Sequence, residues 1–317
     1  MKNTAKKILS HDFFLPVLRS KRFIFLYHDI AEETEKHYSD VYYSTTPDNF
    51  SRQIDFLARK FELIPLDVLV TDAGLSQKKH YASIVFDDGF LSVAETAQKI
   101  LAAQQITFAL FVNKSAMLFD QLWLSNLIIH KDDQNYLQKV FKSLTNKSVS
   151  YQEFVSNPIR AVNEHVIYDD SFRETYLHAD GQKEKRVYLN SEEVRQLHND
   201  GVLIGSHSTD HYRMDNCSEV ELSTQIVENI GFLRTLLETE IEHFSIPFGK
   251  KEHYDKNVIE KIFASGHKFV YSTNIISFEK EKIAKRDFLF PRLAILNQTP
   301  AEIMFNINRT FVKKYDQ

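Results

Sequence analysis

The chain has 317 residues, 43% of them hydrophobic, enough apolar matter to bury a sizeable core in one large domain or two ordinary ones. A net charge of -4 gives no basic footprint of the kind that follows a phosphate backbone, so nucleic acid is excluded as a first choice of partner. Cys217 is the only cysteine, which excludes an internal disulfide framework and any Cys-based zinc site; a hydrolytic metal would have to use histidines and carboxylates.

The opening stretch, residues 1–22, mixes Lys2, Lys6, Lys7, Arg19, Lys21 and Arg22 with Ile8, Leu9, Phe13, Phe14, Leu15, Val17 and Leu18. His11, Asp12 and Pro16 interrupt it before a signal-peptide core of adequate length forms, and no later run approaches the ~18–20 apolar residues that span a bilayer. The stretch reads as a basic amphipathic segment able to touch an anionic membrane surface, or as a docked terminus with a solvated charged side. The missing export signal points to a cytoplasmic location, with contact at the inner face of the membrane.

From residue 23 onward, apolar runs rich in β-branched and aromatic residues alternate with helical patterns, the rhythm of β/α units around a parallel sheet. FIFLYHDI (23–30) is the first strand, and DNFSRQIDFLARKF (48–61), introduced by Pro47, is a helix with Phe50, Ile54, Phe56, Leu57 and Phe61 largely on one side. ASIVFDDGF (82–90) is a strand ending at a glycine, followed by a helix over 91–105 and the sparsely charged strand ITFALFV (106–112). A helix over 191–200, with a capped start at Ser191 and a stop at Gly201, leads into the strand GVLIGSHS (201–208). The longest helix follows at 219–238, then strands at 242–249, 267–273 and 292–296, with a helix at 254–264.

About seven strands with intervening helices favour a distorted (β/α)7-type barrel, one domain over 23–317, above an open doubly wound sheet. Residues 114–189 interrupt a connection that normally needs only a few residues, and they carry helical patterns, so they read as an inserted, mostly helical cap. Trp123, Tyr151 and Tyr188 within it are candidates to stack on the ring of a ligand or, more simply, to fill a core.

In such a barrel chemistry gathers at the C-terminal strand ends, and four of these read LYHD, FDDG, GSHSTDH and IPFG. Asp87 and Asp88 are adjacent and can face one site only if the strand stops there, which Gly89 supplies; on its own an Asp-Asp-Gly run is an ordinary turn. His207 and His211, four apart, share a face if residues 208–211 form a helical turn; alone they are two imidazoles in a polar loop. Two histidines and one carboxylate make three protein ligands with an open position, the pattern of a catalytic zinc site. The second carboxylate would be the base, and His28, an imidazole at a neighbouring strand end, the acid for an amine leaving group.

VFDDGF (85–90) and HSTDH (207–211) resemble the first two motifs of the polysaccharide deacetylase family, carbohydrate esterase family 4 with the NodB homology domain. The resemblance implies that Asp87 is the base, that Asp88, His207 and His211 hold a divalent metal, and that IPFG (246–249), with Pro247, corresponds to a third motif in which the Phe248 N–H serves an oxyanion. Zinc is the default ion for this ligand set, with Ni, Co and Fe compatible. There are departures: the Arg that opens the third motif is replaced by Ser245, the tryptophan-bearing fourth motif has no counterpart, and no histidine follows His267. LYH (26–28) resolves the last, because a Leu-x-His placed before the Asp pair is similar to the circularly permuted branch that includes poly-N-acetylglucosamine deacetylases. Arg292, at the start of the last predicted strand, is the candidate to orient Asp87 in place of the missing Arg.

The resemblance implies a metal-dependent hydrolase that removes an N-acetyl group from an amino sugar in a glycan or a lipid-linked saccharide. An O-acetyl esterase, a deformylase, or a non-catalytic carbohydrate-binding relative are the rival expectations, since a fold does not fix a substrate.

Overall fold

The computed structural model describes residues 22–32, 44–71, 74–76, 78–130, 132–143, 150–158, 161–162, 186–273, 278 and 288–312. The basic segment proposed for membrane contact lies outside these residues except for Arg22. That arginine is not a surface charge: it opens the first strand, is 3% exposed, and donates from Nη1 to the Leu69 carbonyl at 2.8 Å. No helix among the described residues is long and apolar enough to cross a membrane.

In chain order the elements are β1 (Arg22–Tyr27), α1 (Pro47–Lys60), β2 (Glu62–Leu63), α2 (Leu66–Thr71), β3 (Tyr81–Phe86), α3 (Gln98–Ala102, continuing a wide turn at Val93–Ala97) and β4 (Phe108–Val112). Among the described residues of the 114–189 stretch lie the helices α4 (Lys114–Phe119), α5 (Trp123–Ile129), α6 (Gln134–Ser143) and α7 (Tyr151–Ser156). Then come α8 (Ser191–Asn199), β5 (Leu203–Ser206), α9 (Glu219–Ser223), which runs through a wide turn at Thr224–Glu228 into α10 (Asn229–Leu237), β6 (His243–Ser245), α11 (Lys256–Ala264), β7 (Phe269–Thr273), β8 (Leu289–Ala294) and α12 (Pro300–Val312).

The strands pair in parallel in the order β1-β8-β7-β6-β5-β4-β3, and β3 returns to β1 over six registered pairs from Arg22↔Tyr81 to Tyr27↔Phe86. This closes a barrel of seven parallel strands, a distorted (β/α)7 barrel; the two-residue β2 only flanks the start of β3. Strands buried on both sides need no polar face, which is why β1, β3 and β4 are buried at every position.

Strand alternation separates an inner core from the packing beneath the helices. Phe23, Phe25, Tyr27, Ile84, Phe86, Leu110 and Val112 pack in the same cluster as Phe50, Ile54 and Leu57 of α1. Ile24, Leu26, Tyr81, Val85, Phe111, Tyr271 and Phe290 form a separate inner cluster. Continued one step past β1, β3 and β5, that inner alternation reaches His28, Asp87 and His207, and within β8 it reaches Arg292, so the barrel's own periodicity brings titratable groups to its C-terminal mouth.

Strand ends differ from the sequence reading where backbone chemistry intervenes. The strand placed at 242–249 shrinks to His243–Ser245, because Pro247 has no N–H to give a ladder and Phe248 and Gly249 are left-handed, with φ of 60° and 64°. The strand placed at 292–296 begins at Leu289 and runs through Pro291, a residue that speaks against a strand in sequence terms. The helix at 191 is capped by Asn190, whose side chain accepts from the Glu193 N–H while Glu193 caps back, and not by Ser191.

Candidate active site

The Asp-Asp turn begins one residue after β3. Asp87 N still donates to Tyr27 O at 3.1 Å, and the chain then reverses through Asp88 and Gly89, both left-handed at φ 70° and 74°. The turn is therefore made by Asp88 as much as by the glycine, and it carries both carboxylates, each 2% exposed, to the same mouth.

His207 and His211 converge, but not through a helical turn. The loop between them has two left-handed residues, Ser208 (φ 68°) and His211 (φ 58°), and no helix. Ser208 Oγ accepts from the His211 N–H at 3.0 Å. Thr209 is tied to the wide turn of the long helix: its N–H donates to Gln225 O at 3.0 Å and its hydroxyl to Thr224 O at 2.9 Å, carbonyls of the stretch where the helical ladder widens. Asp210 accepts from Ser115 Oγ and from Gln225 Nε2, the latter at 2.6 Å. Asn113 Nδ2 donates to the carbonyls of His207 and Ser208, and Asn229 Nδ2 to Val112 O and Ser206 Oγ, each at 2.9 Å.

The ring of His207 has a fixed tautomer. Its Nδ1 lies 2.8 Å from the carbonyl oxygen of Ser245, which can only accept, so Nδ1 carries the hydrogen and Nε2 presents a lone pair. That Nε2 is 3.3 Å from Asp88 Oδ1 and 3.6 Å from Asp87 Oδ2, while His211 Nε2 is 3.4 Å from the same Asp88 Oδ1. Ligand atoms of Asp88, His207 and His211 all lie within 4.8 Å of one another, and all three residues are buried. Asp88 Oδ1 accepts no hydrogen bond. Lone pairs of a buried carboxylate and an imidazole facing one another repel unless a positive charge lies between them. Ligands about 2.0–2.2 Å from a tetrahedral ion are spaced about 3.3–3.6 Å apart, so the two Asp88–His spacings fit a small divalent cation.

Asp87 is held at both oxygens. Arg292 Nη1 donates to Oδ1 at 2.7 Å and Ser245 Oγ to Oδ2 at 3.0 Å. Arg292 is 1% exposed, donates from Nε to Ser272 O at 3.3 Å, and lies 5.7 Å from the Phe111 ring. His28 follows β1 directly, half-buried, within electrostatic range of Asp88, Asp87, Arg292 and His207. At the third strand end Gly249 N donates to Pro247 O at 2.7 Å and Thr273 N to Gly249 O at 2.7 Å, a turn that does not use the Phe248 N–H. Only glycine fits at 249: a Cβ there would stand 2.5 Å from Thr273 Oγ1 and 2.7 Å from its backbone nitrogen.

A sequence model of the polysaccharide deacetylase family matches residues 74–270. The chain belongs to the polysaccharide deacetylase family. Structural similarity to solved members extends over nearly the whole chain. It covers 92% of the chain and 99% of Streptococcus pyogenes deacetylase PplD, solved with acetate, at 12% identity and a TM-score of 0.60. A de-N-acetylase from Aggregatibacter actinomycetemcomitans aligns over 90% of this chain and 100% of that one, at 13% identity and a TM-score of 0.57. IcaB from Ammonifex degensii aligns over 91% and 97%, at 13% and 0.55. At these identities the likeness is one of fold. No curated protein matches the chain.

The charges of the candidate site sort by environment. Burial by itself would raise the Asp87 carboxyl, but Arg292, His207 and His28 outweigh it and hold it below the usual range. Asp88 is held low as well, because the imidazoles of His211 and His207 outweigh the effect of burial. Burial pushes His211 down to about 4, leaving it neutral, whereas His207 rises because Asp87 and Asp88 overcome the same effect. His28 is lowered, burial outweighing the pull of Asp88 and Asp87.

Of the aromatic candidates, Trp123 and Tyr188 are fully buried and offer no face to a sugar; Tyr188 packs on Phe90 at 5.1 Å. Tyr151 sits half-buried edge-on to Phe141 at 5.2 Å. Sequence reasoning named Ser245 only as a departure, and it missed Asn113, Gln225 and Asn229. A buried amide has no motif of its own; its cue here is only position, directly after β4 for Asn113 and along the long helix for Gln225 and Asn229.

Proposed function

We propose that this deacetylase hydrolyses the N-acetyl group of an amino sugar, with a divalent cation held by Asp88, His207 and His211. The observation that carries the reading is the pairing of that buried ligand set with a second carboxylate, Asp87, fixed at both oxygens beside it. When bound, the cation supplies a Lewis acid that polarises the acyl carbonyl and acidifies water. Asp87, ionised and immobile, takes the proton from the attacking water as its oxygen bonds to the acyl carbon. The Phe248 N–H, with its backbone set by the Pro247–Gly249 turn, donates to the oxygen on which charge develops. As the C–N bond breaks, His28, neutral at rest, relays to the amine the proton that Asp87 took from water, since the amine cannot depart as an anion. The name of the Aggregatibacter neighbour, a de-N-acetylase, supports nitrogen over oxygen as the leaving atom.

Acetate release from N-acetylated glucosamine oligomers tests this, with N-formyl and O-acetyl sugars in parallel. Release from the N-acetyl substrate should be fastest, should fall to the blank after chelation and dialysis, and should return with zinc, cobalt, nickel or ferrous ion. Release that survives chelation would remove the metal; a faster O-acetyl reaction would make the protein an esterase; no release from any substrate would leave a carbohydrate-binding relative.

A further inference from the structure

Trp123 is the only tryptophan in the chain, and it stands in the helical stretch between β4 and β5. Its indole Nε1–H donates to the carbonyl oxygen of His211 at 3.1 Å. Its ring centroid lies 6.4 Å from that of Phe248, whose ring meets the His211 imidazole edge-on at 4.7 Å. The start of α5 fixes this placement locally: Ser125 Oγ donates to Leu122 O at 2.7 Å and accepts from the Leu122 N–H at 3.1 Å, closing the turn on which Trp123 sits.

His211 depends on its surroundings for two reasons. Its φ of 58° is a left-handed conformation that strains a residue with a side chain and persists where neighbours enforce it. A ligating imidazole is also usually aimed by a hydrogen bond from its remote ring nitrogen. His207 has that bond, to Ser245 O, but His211 Nδ1 is buried with no partner among the described residues. The aim of His211 therefore comes from Phe248 on its ring, Ser208 Oγ on its N–H and Trp123 on its carbonyl.

We infer that Trp123 is a positioning residue for His211, and that the helical segment carrying it belongs to the metal-binding apparatus as well as to the wall of the barrel. The inference rests on Asp88, His207 and His211 being the ligand set. Trp123→Phe in the full chain keeps an aromatic ring and removes the N–H, and cobalt(II) is the probe. Wild-type protein should take up one equivalent with visible d–d absorption; a wild type that takes up none sinks the ligand set, and this inference with it. Given uptake, Trp123→Phe should bind cobalt about ten- to a hundredfold more weakly and with shifted d–d bands. A role limited to packing would lower the melting temperature of metal-free and loaded protein alike and leave the bands in place, and that result, or wild-type affinity in the variant, overturns the inference. A second readout needs no variant at position 123. Zinc should move the emission of this single indole to a plateau at one equivalent, an effect absent in His211→Ala; emission that stays still while zinc binds also overturns it.

Discussion

Asp87→Asn should cut kcat for acetate release by a factor of about 10²–10⁴, the usual contribution of a general base, while leaving the protein able to bind one metal ion. The substitution is nearly isosteric. Its carbonyl oxygen can still accept from Arg292 Nη1, and Ser245 Oγ can turn to accept where it now donates, so the brace around the position survives. Asp88, His207 and His211 are untouched. Turnover and metal content measured on one preparation separate the roles: near-wild-type turnover would take the base assignment away from Asp87, and loss of the metal would make it a ligand. His28→Ala provides the companion measurement. Its loss should be large on an N-acetyl sugar, whose amine is a poor leaving group, and small on a nitro-substituted acetanilide, whose amine leaves readily. Equal losses on both would limit His28 to orientation.

Arg292→Met should destabilise the fold by about 3–5 kcal/mol at pH 7, the cost of leaving one partner of a buried pair uncompensated. The pH dependence gives this its sign. With Arg292 in place the Asp87 carboxyl lies below its unfolded value, so it stabilises the fold above about pH 3.9 and loses that contribution as the pH falls through the folded value. Without the guanidinium, burial is the largest influence left and the folded value moves up past the unfolded one. Asp87 then opposes folding at neutral pH, and the penalty shrinks as acid protonates it. Urea unfolding at pH 7 and pH 5 should show a smaller gap between variant and wild type at pH 5. Adding Asp87→Asn to Arg292→Met should recover part of the loss at pH 7. A gap independent of pH, with no recovery in the double variant, would mean that Arg292 acts through its contacts with Ser272 and Phe111 and not through Asp87.

The barrel was readable because its strands are buried on both faces and its inner alternation runs on past the strand ends. A reader who continues Leu26 to His28 and Val85 to Asp87 arrives at the site without coordinates. HSTDH was readable for a different reason, since it packs two candidate ligands into five consecutive residues. Its backbone was not. Spacing of four suggests a helical turn, and the chain instead bends through Ser208 and His211 in left-handed conformations, held by Asn113, Gln225, Ser208 and Trp123. Three of those four lie outside the motif, so a local reading had no access to the forces that decide the loop's shape.

The amino-acid order by itself determined the seven-strand alternation, the Asp87–Asp88 pair at a strand end and the two imidazoles of the second motif, because each is written within a few neighbouring residues and follows from strand or turn chemistry. The sequence offers Arg292 only as a candidate to orient Asp87; tertiary structure decided that it and Ser245 grip that carboxylate, across 205 and 158 positions of chain, and that Trp123 donates to His211 in place of facing a sugar. The physical reason is closure: β8 and β6 come within reach of the turn after β3 only when the barrel curls and β3 meets β1, and contacts made by closure leave no local trace in the sequence.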